Sequence, residues 1–136
     1  ITKKNPFKNK PLYSLNKRIL FCKNIIKGVN KIKIKSYDSL IKKSETIYLI
    51  NFLKKKNKKI DYFFIMGSDN LVNLHKWKDW REIAKKCKII VFPRKGFTIK
   101  SRNSRAFKEL KDGKLHIIRS KMYNISSSKI RKNYLM

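Results

Sequence analysis

The sequence contains few small, turn-forming or acidic residues. Its 136 residues include 2 Ala, 4 Gly, 3 Pro and 2 Cys, and only 8 are Asp or Glu. Cys22 and Cys87 lack the spacing of a metal site or a disulfide framework, which favours two buried thiols in a reducing cytoplasm. The sequence has no run of about 18 apolar residues, so no membrane span is predicted. No signal peptide is visible.

Basic residues, by contrast, are abundant: 37 Lys and Arg give a net charge of +29. Such a charge is typical of proteins that bind nucleic acids. However, 30 of these residues are Lys and 7 are Arg, and Ile (19) and Asn (12) are also heavily used. Lys, Ile and Asn have AT-rich codons, so base composition explains the charge better than a ligand does. Nucleic-acid readers favour Arg, whose planar fork fits phosphate and guanine.

Length and hydrophobicity predict one folded domain, because 41% hydrophobic and 12% aromatic residues suffice for a core. Apolar periodicity predicts strands and helices in alternation. Strands are expected at residues 32–35, 62–66, 88–92 and 115–118, and helices within 15–26, 39–56, 69–77, 82–86 and 106–110 and from 129. The run at 62–66 suits a central strand covered on both faces. This order predicts a parallel α/β sheet with flanking helices, whose ligands bind at the carboxyl ends of the strands.

The first candidate site follows the strand at 62–66. Gly67 allows a ligand to approach the backbone closely. Asp69 either caps its own helix or binds a ligand hydroxyl, and capping is favoured when the residue is taken alone. Trp77 and Trp80 fall on one helical turn, which is typical of core residues, although one of them could stack on an aromatic ligand.

The second candidate site is the segment 125–131, in which three serines open a helix and Arg131 follows one turn inside. A helix N-terminus with hydroxyls and an arginine suits phosphate, and a simple cap with a solvated arginine fits the segment equally well. Arg94 and Lys8 are further cations expected at strand ends. Singly each is typical of solvated surface, but jointly they would place positive charge at one edge of the sheet.

Taken together, these segments resemble the bacterial nicotinate-nucleotide adenylyltransferases over almost the whole chain. The resemblance is carried by Asn5-Pro6-Phe7-Lys8, Glu45-Thr46-Ile47, Phe64-Ile65-Met66-Gly67-Ser68-Asp69-Asn70-Leu71, Trp77-Lys78-Asp79-Trp80, Val91-Phe92-Pro93-Arg94 and Ile125-Ser126-Ser127-Ser128-Lys129-Ile130-Arg131. It implies a Rossmann-like nucleotidyltransferase fold. It also implies transfer of AMP from ATP to nicotinate mononucleotide, which gives deamido-NAD and pyrophosphate in the cytoplasm, with Mg²⁺ accompanying the ATP.

The resemblance also assigns residues. Trp77 would stack on the pyridine ring, and Arg94 would lie near the pyridine carboxylate or the phosphate. Gly67 and Asp69 would line the pocket between the two nucleotides, and Thr46 would lie on the helix that faces the mononucleotide. The ATP phosphates would be held by Lys8, Ser127, Ser128 and Arg131.

The sequence departs from the family in several places. The His-x-Gly-His motif, whose histidines contact the ATP phosphates, does not occur in residues 1–136. The family's first strand, first helix and most of its second strand have no counterpart. Lys43 stands where Thr is frequent, and Lys95 follows Arg94 where Pro is usual. The resemblance therefore implies a single nucleotidyltransferase-like domain over 1–136 that is incomplete at its N-terminus, of low stability and little activity. By the same resemblance, the chain stops soon after its last helix begins.

Two other functions remain open. A basic nucleic-acid-binding protein would show a basic stripe with interleaved exposed aromatics, whereas Phe63, Phe64 and Phe92 fall in predicted strands, so we do not expect a nucleic-acid partner. A pantetheine-phosphate adenylyltransferase shares the serine-rich segment, but its substrate offers no ring for Trp77 to stack on. No oligomeric state follows from the sequence.

Overall fold

The computed structural model describes residues 1–3 and 11–122. The chain divides into two compact units, the N-terminal unit Ile1–Ile60 and the C-terminal unit Asp61–Met136. The expectation of a single domain over 1–136 stays a prediction. Within the described ranges, no helix is long and apolar enough to cross a membrane.

The N-terminal unit contains three helices in its described part: α1 Leu15–Ile25, α2 Asp38–Ile41 and α3 Thr46–Lys56. Ser14 caps α1, because its Oγ accepts the backbone N–H of Lys17 at 3.3 Å. This contact satisfies a donor that the first turn of a helix leaves unpaired. The N-terminus of α1 is therefore where the sequence predicts it. Cys22, on α1, is half-buried rather than fully buried.

The predicted strand at 32–35 is wrong, since the structure gives this segment no strand or helix. Ile32 is 52% exposed and donates its N–H to the carbonyl of Val29, a turn contact. Two alternating apolar residues are a weak strand signal, and strands are stable only when neighbouring strands satisfy their backbone groups. Among the described residues, no such neighbour pairs with this segment.

The C-terminal unit is an α/β unit. Its elements are β1 Phe63–Gly67, α4 Ser68–Asn73, a 3₁₀ turn Leu74–Lys76, α5 Trp80–Lys86, β2 Lys88–Phe92, α6 Thr98–Arg102, α7 Arg105–Leu110 and β3 Leu115–Ile117. The strands form a parallel sheet in the order β1-β2-β3. The predicted parallel α/β sheet is therefore confirmed, and β2 ends where Pro93 removes a backbone donor.

The expectation that β1 is covered on both faces is wrong. Phe63 and Ile65 are 53% and 62% exposed, whereas Met66 is 5% exposed. In the sheet of the described residues β1 is an outer strand with β2 on one side. A continuous apolar run does not reveal which alternate side chains are buried, so this difference is invisible in the sequence.

The core of the C-terminal unit lies between the sheet and the helices that pack on it. Its most buried side chains are Leu71, Leu74, Ile83, Ile89 and Val91, each 0% exposed. Burial of one such side chain stabilises a fold by about 1.5–3 kcal/mol. The core thereby fixes the ends of β1 and β2, where the candidate site lies.

Candidate functional site at the strand ends

The carboxyl ends of β1 and β2 bring together residues from two distant segments of the sequence. The strands are parallel, and Gly67 at the end of β1 lies opposite Phe92 at the end of β2. Ser68 and Asp69 follow β1 as the first two residues of α4, and Arg94 follows β2 after Pro93. The strand-end cluster, as we call Gly67, Ser68, Asp69 and Arg94, thus forms where parallel α/β sheets bind ligands.

Direct contacts join the members of the strand-end cluster. Ser68 Oγ accepts the backbone N–H of Arg94 at 2.9 Å, and Ser68 is 1% exposed. Arg94 Nη1 lies 3.4 Å from Asp69 Oδ2. The prediction that Gly67, Asp69 and Arg94 belong to one site is therefore consistent with their positions. Sequence reasoning assigned no role to Ser68, whose one signal was its place directly after a strand-end glycine.

Gly67 leaves a gap that its neighbours fill. A Cβ at this position would lie too close to Asp69 Oδ1 and 2.9 Å from Arg94 Nε. The backbone of Gly67 is extended, with φ −82° and ψ 156°, so a Cβ would not strain the backbone but would have to displace these two side-chain ends. The close approach seen here is that of the Asp69 and Arg94 side chains, and the approach of a ligand to Gly67 stays a prediction.

Asp69 is not a helix cap, which corrects the interpretation favoured for this residue alone. The N-cap of α4 is Gly67, and no side chain caps this helix. Because α4 begins at Ser68, Asp69 lies inside the first turn, and its carboxylate faces Arg94. Its second oxygen, Oδ1, is buried and has no hydrogen-bond partner in the described part of the chain. A buried acceptor without a partner is rare, because it has lost water and gained no other bond.

The two tryptophans do not share a helical turn, which is a second correction. Trp77 has an extended backbone after the 3₁₀ turn, and Asp79 has a positive φ of 49°. Trp80 begins α5 and is 6% exposed, as expected for a core residue. The half-buried Trp77 ring meets Phe64 of β1 edge-on, with centroids 5.8 Å apart and planes at 75°.

The remaining predicted site residues are spread over other segments. Thr46 is the first residue of α3 in the N-terminal unit and is half-buried. Lys8, Ser127, Ser128 and Arg131 lie outside the described residues. Their assignment to the ATP phosphates therefore stays a prediction.

The strand-end cluster offers two complementary groups to a ligand. The Arg94 side chain is 49% exposed and supplies a positive charge that suits a carboxylate or phosphate. Asp69 Oδ1 supplies an acceptor that a ligand hydroxyl would satisfy. Within residues 1–3 and 11–122, no group of three acidic, histidine or cysteine side chains is placed to hold a metal ion. The geometry thus suits a polar anionic ligand that carries hydroxyl groups.

Comparison with known families assigns the chain to one of them. The family model described as cytidylyltransferase-like matches residues 1–133. The chain therefore belongs to the cytidylyltransferase-like family, a class of nucleotidyltransferases.

Within this class, the chain is similar to proteins named probable nicotinate-nucleotide adenylyltransferase. The protein of that name from Pelagibacter ubique (strain HTCC1062) is 47% identical over 132 residues, which are 97% of this chain and 73% of the relative. The one from Buchnera aphidicola subsp. Schizaphis graminum (strain Sg) is 36% identical over 147 residues, covering 95% of this chain and 66% of the relative. These relatives confirm the resemblance recognised in the sequence.

A solved structure shows the same fold. The Plasmodium falciparum nicotinic acid mononucleotide adenylyltransferase complexed with APC matches with a TM-score of 0.71 and 23% identity. The match covers 89% of this chain and 62% of that chain. The expected nucleotidyltransferase fold is thereby confirmed, while this chain spans about two thirds of the proteins it resembles.

Proposed function

We propose that this protein transfers AMP from ATP to nicotinate mononucleotide, which yields deamido-NAD and pyrophosphate in the cytoplasm. The observation that carries the proposal is the strand-end cluster, in which Arg94 contacts Oδ2 of Asp69, while Oδ1, beside Gly67, has no partner among the described residues. The names of the relatives support the choice of this substrate pair.

In this proposal each group of the cluster meets a different part of the mononucleotide. The Arg94 guanidinium binds the pyridine carboxylate or the phosphate, since its planar fork matches either anion. Asp69 Oδ1 accepts a hydrogen bond from a ribose hydroxyl, and Gly67 lets the ligand approach the backbone. The Trp77 ring, held edge-on by Phe64, stacks on the pyridine ring, and the assignment of Thr46 to the mononucleotide stays a prediction.

The reaction needs alignment more than covalent chemistry. A phosphate oxygen of the mononucleotide attacks the α-phosphorus of ATP in line, and the bond from that phosphorus to the β-phosphate oxygen breaks as pyrophosphate leaves. The protein contributes by bringing two anions together and neutralising their charge. Mg²⁺ enters as the ion that ATP carries, and it neutralises phosphate charge. The proposal keeps Lys8, Ser127, Ser128 and Arg131 as the residues that hold the ATP phosphates.

The test is a calorimetric titration of the protein with nicotinate mononucleotide. Saturable binding is expected, and Arg94→Met is expected to raise the Kd at least about tenfold, because a charge-assisted contact contributes about 1.5–3 kcal/mol. Arg105→Met is the matched control, since Arg105 is a surface arginine of α7, bonded to Glu109. Absence of saturable binding, or an equal affinity of Arg94→Met and wild type, would contradict the proposal.

One observation favours a nucleic-acid function as the second candidate. Tyr13 and Phe21 are 41% and 40% exposed, and Lys17 Nζ lies 4.9 Å and 5.8 Å from their ring centroids. Exposed aromatics interleaved with lysines suit stacking on single-stranded bases. The strand aromatics Phe63 and Phe92 are also 53% and 40% exposed, although their strand positions predicted burial. Steeply salt-dependent binding of an oligonucleotide, without saturable mononucleotide binding, would select this candidate.

A further inference from the structure

Ser68 differs from the other buried serines of the C-terminal unit. Ser101 Oγ donates to the carbonyl of Thr98 at 2.8 Å, and Ser104 Oγ donates to the carbonyl of Ser101 at 2.6 Å, three residues away in each case. Ser68 Oγ instead accepts the backbone N–H of a residue 26 positions further along the chain. Ser101 and Ser104 stabilise local turns, whereas Ser68 joins two strand ends.

The bond from Ser68 continues the link between β1 and β2 beyond the end of the sheet. The paired register ends at Gly67 and Phe92. The next residue, Pro93, has no N–H, so Arg94 carries the first backbone donor after β2. Ser68 Oγ, on a residue that is 1% exposed, accepts this donor at 2.9 Å in a part-buried hydrogen bond. The hydroxyl therefore fixes the position of the Arg94 backbone, to which the side chain is attached.

Three consecutive residues thus act on one arginine. Gly67 leaves the gap beside the Arg94 side chain, Ser68 holds the Arg94 backbone, and Asp69 contacts the guanidinium at 3.4 Å. The guanidinium contact is long and half exposed, so on its own it holds the side chain weakly. The bond to Ser68, which is shorter at 2.9 Å and part-buried, is the firmer of these two contacts.

We propose that Ser68 is a positioning residue that sets the place of Arg94 for binding the anionic group of the mononucleotide. This inference rests on the proposed function, since it assumes that Arg94 binds that anion. Ser68 itself touches no substrate. It acts by fixing the backbone of the residue that does.

A double-mutant cycle tests this role. Ser68→Ala is expected to raise the Kd for nicotinate mononucleotide about threefold to tenfold, the loss that follows from one neutral hydrogen bond. In the Arg94→Met background the same change is expected to have no effect on the Kd, because the group that Ser68 positions is gone. Ser101→Ala is the control in both backgrounds, since it also removes a buried hydroxyl and is expected to leave the Kd unchanged.

The cycle separates a positioning role from a merely structural one. If Ser68→Ala weakens binding equally with and without the Arg94 side chain, or leaves the Kd of the wild-type background unchanged, the proposal is overturned. Should Ser68→Ala not fold, the pair Ser68→Thr and Ser68→Val replaces it, because these side chains have the same shape and only Thr keeps the hydroxyl. Ser68→Thr is then expected to bind the mononucleotide more tightly than Ser68→Val, and equal affinities would overturn the proposal.

A ligand-free measurement distinguishes failure of this inference from failure of the proposed function. Hydrogen exchange of the Arg94 backbone amide, followed by NMR, is expected to be slow in the wild type and at least about tenfold faster in Ser68→Ala. The same variant is expected to show greater mobility of the Arg94 Nε–H group, measured from its NMR signal. If the wild type binds no mononucleotide, the proposed function fails, yet these two changes still support positioning of Arg94 by Ser68. Unchanged exchange and an unchanged Nε–H signal overturn it.

Discussion

Two carboxylates of the C-terminal unit meet arginines in contrasting ways. On the outer surface of α5 and α7, Glu109 uses both oxygens: Arg81 Nε lies 2.7 Å from Oε2, and Arg105 Nε lies 2.8 Å from Oε1. Hydrogen bonds from Arg81 first, and from Arg105 second, lower the pKa of Glu109. At the strand ends, Asp69 has one contact of 3.4 Å to Arg94, and its other oxygen is buried without a partner among the described residues.

The difference separates a carboxylate whose two oxygens both have partners from one with a buried oxygen that has none among the described residues. Both oxygens of Glu109 accept arginine N–H groups, so its pairs link α5 and α7 at the surface. Asp69 keeps an unsatisfied buried acceptor at the edge of the sheet where ligands bind. Folded proteins rarely leave such groups unpaired, and departures from that rule concentrate at functional sites.

Gly67→Ala is expected to have the largest effect on mononucleotide binding. The new Cβ would meet the ends of two side chains, Asp69 Oδ1 and Arg94 Nε, and not backbone atoms. These side chains move aside at little cost to folding, and the replacement of Gly stabilises by about 0.4–1 kcal/mol through the unfolded chain. We therefore expect mononucleotide affinity to fall more than about tenfold, while the melting temperature stays the same or rises. Calorimetry and thermal melts measure the two effects.

Gly113→Ala is the opposite control for that variant. Gly113 has a φ of +82°, which L side chains rarely adopt, and a Cβ there would meet nothing within 4 Å. The substitution is expected to cost about 1–2 kcal/mol of stability and to leave the mononucleotide affinity unchanged. If Gly67→Ala loses stability and keeps its affinity instead, the gap at Gly67 serves the fold and not the ligand.

Asp69→Asn and Glu109→Gln form the next test, because each removes the charge of one carboxylate and keeps its shape. Asp69→Asn is expected to weaken mononucleotide binding about tenfold, since a charged acceptor for a ligand hydroxyl becomes a neutral one and Arg94 loses its partner. Glu109→Gln is expected to leave the affinity unchanged. Equal affinities of wild type and Asp69→Asn would show that the unpartnered oxygen plays no part in binding.

The contrast also marks how far the sequence predicts this molecule. The bounds of β2 are confirmed because Pro93 ends the strand by a local mechanism, and the parallel sheet follows from the alternation of strands with helices. Taken alone, Asp69 is predicted to cap its helix, because its nearest sequence neighbours suit a helix start. Its actual partner, Arg94, lies 25 residues away in the sequence. Patterns among neighbouring residues do not reveal how close these two side chains lie in space.

The same limit explains the other differences. The exposure of Phe63 and Ile65 depends on which neighbours cover β1, and an apolar run does not reveal those neighbours. The Ser68 contact was missed because a buried serine and an exposed one look alike in the sequence. Trp77 and Trp80 were placed on one helical turn because their spacing fits it, whereas the positive φ of Asp79 separates the two.

The smallest expected effect concerns how the Glu109 ion pairs contribute to stability in acid. The pKa of Glu109 is lowered in the folded state, relative to an ordinary value of about 4.3. Its contribution to stability is therefore present above that ordinary value and disappears as the pH falls through the lowered folded value. Glu109→Gln is expected to melt slightly earlier than wild type near neutral pH, and the gap should close in acid. A difference in melting temperature that persists below the folded pKa would mean that Glu109 stabilises α7 by packing and not by its charge.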